Sequence, residues 1–339
     1  MKVLQIGAKN FPPAHGGTET VVYHIVQSLK DIVDFKILVE WKQDLVENVE
    51  SIPENLSYLN KIYFILKYAR KNEIDIIHFH NEKYIPMAIV LSVVFKRIVL
   101  TVHGVHFRSP KWNYFTRSVF WIVDVLGSFF VKRLVHCSEY DKKTFEKITF
   151  FRQTYFVNNG TVLAKHPQKK EEIIHEDTYV FLGRITPAKN VIKLVQAATK
   201  QKIRVDVFGR LDKECKSYVD EFLSIVDKSE YVFYKGEISH EDVFNKMKEY
   251  KAFLYITIME GLPLAVLEAA SCGLPLILSE IPHHTYLKFP NVYYVDQNNP
   301  ILPSPENIVG GIENRTHVKE NFSIRQMGEN YFKIYNSII

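Results

Sequence analysis

Cysteine is scarce. The 339 residues hold only Cys137, Cys215 and Cys272, with no pair at CxxC spacing. That excludes a disulfide scaffold, argues against a cysteine metal site and fits a reducing cytosol. The chain has no G-x-G-x-x-G and no G-x-x-x-x-G-K-[ST], so the usual dinucleotide and P-loop fingerprints are absent. It has no Asp-x-Asp anywhere, so nothing in the sequence calls for a bound divalent metal. Glycine and proline, 14 of each, are too few for a collagen-like or low-complexity chain. The most apolar windows, residues 85–95 and 119–131, are too short to span a bilayer, and the second contains Asp124. The opening Met1–Ile6 reaches Gly7 without a long apolar stretch, so no secretory signal is expected. No base-stacking platform or basic stripe of a known type appears, so nucleic acid is not expected as a partner.

What remains is a globular chain, 47% hydrophobic and 24% charged, long enough for two domains. Its net charge of +5 is uneven. Residues 1–164 hold 21 Lys and Arg against 15 Asp and Glu, and the remainder holds 22 against 23. The first half therefore faces something anionic, unless the excess is unpatterned surface lysine.

Short apolar runs alternate with amphipathic helical stretches, which predicts βα units and parallel sheets. Strands are expected at 3–6, 35–39, 74–79, 98–102, 134–137 and 155–157. A charged, proline-containing stretch at 164–177 reads as a linker. Strands then resume at 179–183, 204–208, 231–234, 252–256, 275–278 and 292–295. Two α/β halves predict one ligand site, beyond the carboxyl ends of their strands.

Candidate chemistry lies at those ends. Gly16 and Gly17 precede a helical pattern at Glu19, where backbone amides and the helix dipole suit an anion. A plain turn is the alternative. His103 follows the strand at 98–102 and can position a hydroxyl or share a proton, unless it is a satisfied structural histidine. His78 and His80 share a strand face, but no carboxylates accompany them, so a metal site is not expected. In the second half, Gly183-Arg184 ends a strand and Lys189 precedes a helix. Two cations beside a glycine suit a diphosphate, or are simply solvated. The sharpest segment is Met259–Ser279. Glu260 sits ahead of a helix, and Glu268 falls inside it among Leu264, Val266, Leu267, Ala269 and Ala270. A carboxylate in that setting needs a partner, which ribose or sugar hydroxyls would supply.

With these residues in view, the chain resembles the retaining glycosyltransferases of family 4. The resemblance rests on Gly16-Gly17-Thr18-Glu19, Thr101–Gly104, Asn159-Gly160, Gly183-Arg184 with Lys189, Gly209, and Glu260-x7-Glu268 followed by Ala269 to Gly273. It implies an α/β protein of GT-B fold, with two Rossmann-like domains facing across a cleft. The first would be an acceptor-side domain at 1–164, carrying a returning C-terminal helix at 320–339. The second, at 175–319, would bind a nucleotide-diphosphate sugar. Arg184 and Lys189 would neutralise the leaving diphosphate, Glu260 would contact the transferred sugar, and His103 would sit near the reacting face. Gly16, Gly17, Gly183, Gly209, Gly261, Leu262, Leu264 and Glu268 would line the donor site, with Glu268 on the ribose. Glu19 and His80 would lie on the acceptor side. No cofactor and no metal would be required.

The segment His103–Asn113 also looks like a subgroup containing bacterial rhamnosyltransferases of capsule and polysaccharide assembly. The expected donor is therefore a UDP-sugar or dTDP-rhamnose, and the expected acceptor a polyprenyl-diphosphate-linked bacterial surface glycan. Related enzymes commonly place a further glycine after Glu260-Gly261, where this chain has Leu262-Pro263-Leu264. Basic residues Arg108, Lys111, Arg117, Lys132 and Arg133 interleave with Trp112, Tyr114, Phe115, Phe120 and Trp121. That suits peripheral contact with the inner face of an anionic membrane, or a packed amphipathic helix. Two other functions share this architecture: a sugar-nucleotide epimerase, and a non-catalytic nucleotide-sugar-binding partner of another transferase.

Overall fold

The computed structural model describes residues 1–13, 16–41, 46–104, 107, 113–149, 154–239 and 241–339. Arg108, Lys111 and Trp112 of the basic aromatic segment lie outside the described residues. The strands, in chain order, are β1 Lys2–Ile6, β2 Asp34–Val39, β3 Val49–Ser51, β4 Ile76–His80, β5 Ile98–Val102, β6 Arg133–His136, β7 Tyr155–Phe156, β8 His175–Leu182, β9 Arg204–Phe208, β10 Val232–Gly236, β11 Tyr250–Tyr255, β12 Leu276–Ser279 and β13 Val292–Val295. The helices are α1 Gly17–Leu29, α2 Tyr58–Lys71, α3 Ile85–Ser92, α4 Tyr114–Phe130, α5 Glu139–Ile148, α6 Val191–Gln201, α7 Lys216–Asp227, α8 Val243–Met247, α9 Leu264–Ser271, α10 Pro282–Thr285, α11 Ile312–Asn321 and α12 Ile324–Asn336. Among the described residues no helix is long and apolar enough to cross a membrane.

The chain divides into two compact units, Met1–Gly160 with Ile324–Ile339, and Thr161–Ser323. The charged stretch read as a linker runs into β8. Glu176 and Asp177 are exposed at the open end of that strand, which tolerates charge, while Thr178 to Phe181 are buried.

The first unit is a seven-stranded parallel sheet in the order β3-β2-β1-β4-β5-β6-β7. Edge strand β3 is three residues long and two of them are polar, so it leaves no apolar run to read. Strands β4 and β5 are buried at every residue, as parallel strands covered on both faces must be. They nevertheless include His78, His80 and Thr101. Helix α12 resolves that conflict. Its Met327, Tyr331, Ile334 and Tyr335 form one buried face, and the two tyrosines bring hydroxyls to the polar strand residues. The strand order reverses between β1 and β4, so the loops after Ile6 and His80 open a crevice at that switch point.

The second unit is a six-stranded parallel sheet in the order β10-β9-β8-β11-β12-β13. Its order reverses between β8 and β11. The loops carrying Gly183 to Asn190 and Ile256 to Pro263 therefore leave the sheet side by side. Backbone bonds tie them together, with Ile258 N–H donating to the Ala188 carbonyl at 3.0 Å.

Candidate functional site

In the second unit, Gly183 ends β8 and Gly209 ends the neighbouring β9. Gly209 has φ +145°, and a Cβ there would lie 1.8 Å from the Gly183 carbonyl oxygen, so only glycine fits. Tyr234 pins the turn by donating its hydroxyl to the Gly209 carbonyl at 2.8 Å. Arg184 follows, with its side chain 60% exposed and one guanidinium nitrogen 3.5 Å from Asp212.

Lys189 closes a short 3₁₀ turn at Pro187–Lys189, and Asn190 then takes a left-handed conformation that starts α6. The Lys189 ammonium donates to Glu260 Oε1 at 2.5 Å and to the Tyr255 hydroxyl at 2.7 Å. Both charged side chains are largely buried, at 18% and 9% exposure. Tyr255 is stacked between Phe181 and Phe253. Burial first, and then the Glu260 charge, hold its hydroxyl protonated far above the usual range. The two cations expected to meet a diphosphate thus each have a carboxylate beside them, loosely at Arg184 and closely at Lys189.

Gly261 and Leu264 are half-buried, and Leu262 is buried. Pro263 heads α9 and supplies no side-chain cap, so the first amides of this helix keep their donors for another acceptor. One turn on, Glu268 is buried. None of the described residues donates a hydrogen bond to its carboxylate, and burial pushes its pKa up to about 7. The arrangement combines two cations and free helix amides with a buried carboxylate awaiting donors. It is equipped to hold a polyanion beside a hydroxyl-rich group.

In the first unit, Gly16 has φ +108° and Gly17 opens α1, where a Cβ would meet none of the described residues within 4 Å. Glu19 is turned back over this loop. Its carboxylate fills the space a Cβ on Gly16 would take and accepts from the Lys9 amide at 3.4 Å, and the side chain is buried. It closes the β1–α1 loop and favours the positive end of its own helix, where the sequence reading expects an acceptor-side group. His80 departs from that expectation more sharply. It is wholly buried and bonded to Gln5 at 2.7 Å and to His103 at 3.3 Å, so it supports His103 from beneath and offers nothing outward. His103 is half-buried, and burial lowers its pKa to about 4, so its ring is neutral at pH 7.

The group 1 glycosyl transferase model matches residues 164–300, and the Glycosyltransferase Family 4 model matches residues 15–164. The chain belongs to the family 4 glycosyltransferases. An Escherichia coli protein described as UDP-Gal:alpha-D-GlcNAc-diphosphoundecaprenol alpha-1,3-galactosyltransferase is 26% identical over 280 residues, covering 75% of this chain and 69% of its own. A Xanthomonas oryzae GDP-mannose:cellobiosyl-diphosphopolyprenol alpha-mannosyltransferase is 24% identical over 215 residues; the match covers 61% of this chain and 56% of that protein. Among solved structures, sucrose-phosphate synthase from Thermosynechococcus elongatus has a TM-score of 0.85 at 17% identity, covering 99% of this chain and 98% of that one. Anabaena HepE in complex with UDP and glucose has a TM-score of 0.79 at 16% identity, covering 99% and 100%. These likenesses show the fold, two Rossmann-like domains of the GT-B type.

In this glycosyltransferase three polar groups at the second site escaped the sequence reading. Tyr255 and Asp212 hold the two cations. His284 donates from Nδ1 to the Ser279 carbonyl at 2.9 Å, which leaves Nε2 as a buried acceptor without a partner among the described residues, in a ring 6.1 Å from that of Tyr255. The pair His283-His284 just beyond an apolar strand was a signal that could have been followed.

Proposed function

We propose that the chain moves a sugar from a nucleotide-diphosphate donor to a polyprenyl-diphosphate-linked bacterial surface glycan, with retention of anomeric configuration and without a metal ion. The observation carrying this reading is the Lys189–Glu260–Tyr255 cluster, set beside Arg184 and the open amides of α9 at a switch point. A UDP-sugar is the first donor to test and dTDP-rhamnose the second. The Escherichia coli relative is named for UDP-Gal, and HepE holds UDP and glucose. Both named relatives act on diphosphate-linked polyprenols, which supports the acceptor class.

In the reaction, the bond from the anomeric carbon to the diphosphate breaks and its electron pair stays on the diphosphate. Arg184, Lys189 and the α9 amides stabilise that growing charge. The acceptor hydroxyl attacks from the same face and its proton passes to the departing diphosphate. Glu268 accepts from the ribose hydroxyls, and Glu260, steadied by Lys189, accepts from a sugar hydroxyl. His103 is the residue of the first unit to which this reading gives a contact with the transferred sugar.

A lipid-linked acceptor calls for a membrane-facing surface, and the exposed face of α4 is the one we assign to it. Tyr114 and Phe115 are 86% and 79% exposed, and Ile122, Phe129 and Phe130 extend the exposed apolar face. The one acidic residue of α4, Asp124, is buried, while Arg117 and the adjoining Lys132 are cationic. Anionic bilayer lipid is the occupant that matches this combination. Binding to anionic and neutral vesicles alike would contradict it.

The decisive assay offers the purified protein UDP-sugars, GDP-mannose and dTDP-rhamnose with polyprenyl-diphosphate-linked saccharide, with and without chelator. One donor is expected to extend the lipid-linked saccharide in both conditions. Epimerised donor without extension would move the function to the epimerase reading.

A further inference from the structure

We infer that Gln5 and Tyr335 act as positioning residues that fix His103 as its Nε2–H tautomer, so that His103 presents a bare Nδ1 as hydrogen-bond acceptor. The groups involved form one chain at the carboxyl ends of β1, β4 and β5, backed by α12. Gln5 donates from Nε2 to the Tyr335 hydroxyl at 3.1 Å. That orientation turns Oε1 toward His80 Nε2 at 2.7 Å. A carbonyl oxygen only accepts, so His80 carries its proton on Nε2. Complete burial keeps His80 neutral, so its Nδ1 is bare.

His80 Nδ1 lies 3.3 Å from His103 Nε2. Two bare nitrogens would repel, so the proton of this link belongs to His103. The ring geometry agrees: the centroids are 5.5 Å apart and the planes differ by 26°, which aims the N–H nearly along the lone pair of its partner. His103 is itself neutral, so its remaining nitrogen, Nδ1, is bare. No described group bonds to it.

The other half of the chain obeys the same direction. Tyr335, having accepted from Gln5, donates to His78 Nδ1 at 2.8 Å. His78 Nε2 then donates to Thr101 Oγ1 at 2.8 Å, and Thr101 bonds Tyr331 at 3.0 Å. Gln5, His78, His80, Thr101, Tyr331 and Tyr335 are all wholly buried, so no solvent can reset a single link. Reversing the Gln5 amide would reverse every donor from Tyr331 to His103. The amide orientation, which turns Nε2 to a hydroxyl 330 residues away and Oε1 to His80, thus decides what the half-buried imidazole offers. What Nδ1 meets rests on the proposed function: there it would accept from a hydroxyl of the bound sugar.

The test is ¹⁵N NMR of the full-length protein labelled at histidine, with the His103 signals assigned by their loss in His103→Gln. The wild type is expected to show one His103 tautomer, protonated at Nε2. Tyr335→Phe removes only the hydroxyl and frees the Gln5 amide, so both tautomers are expected in comparable amounts. Gln5→Leu should do the same. Protonated Nδ1 in the wild type overturns the inference, and so does an unchanged single tautomer in both variants. No donor or acceptor is present in this experiment, so its result is independent of whether the protein transfers sugar. Should the tautomers behave as expected while Tyr335→Phe keeps normal turnover, the wiring stands and the role of His103 at the sugar fails.

Discussion

Lys189 and Glu260 stand 71 residues apart in the chain, and their ammonium and carboxylate meet at 2.5 Å. Each arrives on a loop leaving one of two adjacent strands, and the bond between Ile258 and Ala188 holds those loops in register. The contact joins structure to chemistry, since it places a largely buried positive charge where the proposed diphosphate departs.

Removing one partner separates the two roles. Lys189→Met strands the Glu260 carboxylate and should lower stability by about 3 kcal/mol. Adding Glu260→Gln should restore most of that in urea unfolding. Turnover should fall on the order of 100-fold in both proteins, because charge stabilisation is lost in both. Recovery of turnover in the double variant would reduce the pair to a structural one.

Glu268 gives a pH prediction. Burial raises its folded pKa to about 7, above the ordinary 4.5. The stability tied to its proton is complete below pH 4.5 and is lost as pH rises through 7, roughly 3 kcal/mol across that window. Glu268→Gln should flatten this part of the stability profile. A nucleotide whose ribose donates to the carboxylate should expel the proton on binding near pH 6. Calorimetry in buffers of different ionisation enthalpy measures that release, and its persistence in Glu268→Gln would remove the ribose role.

His136 is wholly buried against Phe145, and neither ring nitrogen has a hydrogen-bond partner among the described residues. Burial lowers its pKa to about 4. Its folded pKa lies below the unfolded 6.5, so the stability it permits is present above pH 6.5 and is lost as pH falls toward 4. His136→Leu removes the unsatisfied groups and should raise Tm at pH 5 more than at pH 8. An equal or opposite change would show that the imidazole is better satisfied than its surroundings indicate.

Two glycines should respond oppositely. Gly209→Ala drives a methyl into the Gly183 carbonyl and should cost several kcal/mol or abolish folding. Gly17→Ala meets none of the described residues within 4 Å and enters a helix, so stability should hold or rise by about 0.5 kcal/mol. Any loss of turnover in Gly17→Ala then reports on the approach of substrate to bare backbone. Thermal unfolding of both variants checks the contrast.

The parallel strands were legible because most are short apolar runs, and Glu268 because a carboxylate among Val266, Leu267, Ala269 and Ala270 is conspicuous. Edge strand β3 was illegible, being short and mostly polar. Tyr255 falls inside the strand expected at 252–256, where nothing local marks it, and its hydroxyl meets Lys189 66 residues away. His80 is expected at a strand end, on the acceptor side. Its burial depends on Gln5 and the hydroxyl of Tyr335 behind it, and no local pattern encodes a contact across 330 residues. Local periodicity sets the elements, and long-range pairing decides which polar residues face outward.

The most direct test of the account follows the anomeric carbon itself. The donor found active is prepared with ¹³C at C1, and transfer to the lipid-linked acceptor is followed by NMR in the presence of chelator. The account predicts a product carrying the donor's own anomeric configuration, at an undiminished rate, with Arg184→Ala slowing its appearance on the order of 100-fold. An inverted product, or a rate that returns only with added metal, would contradict it.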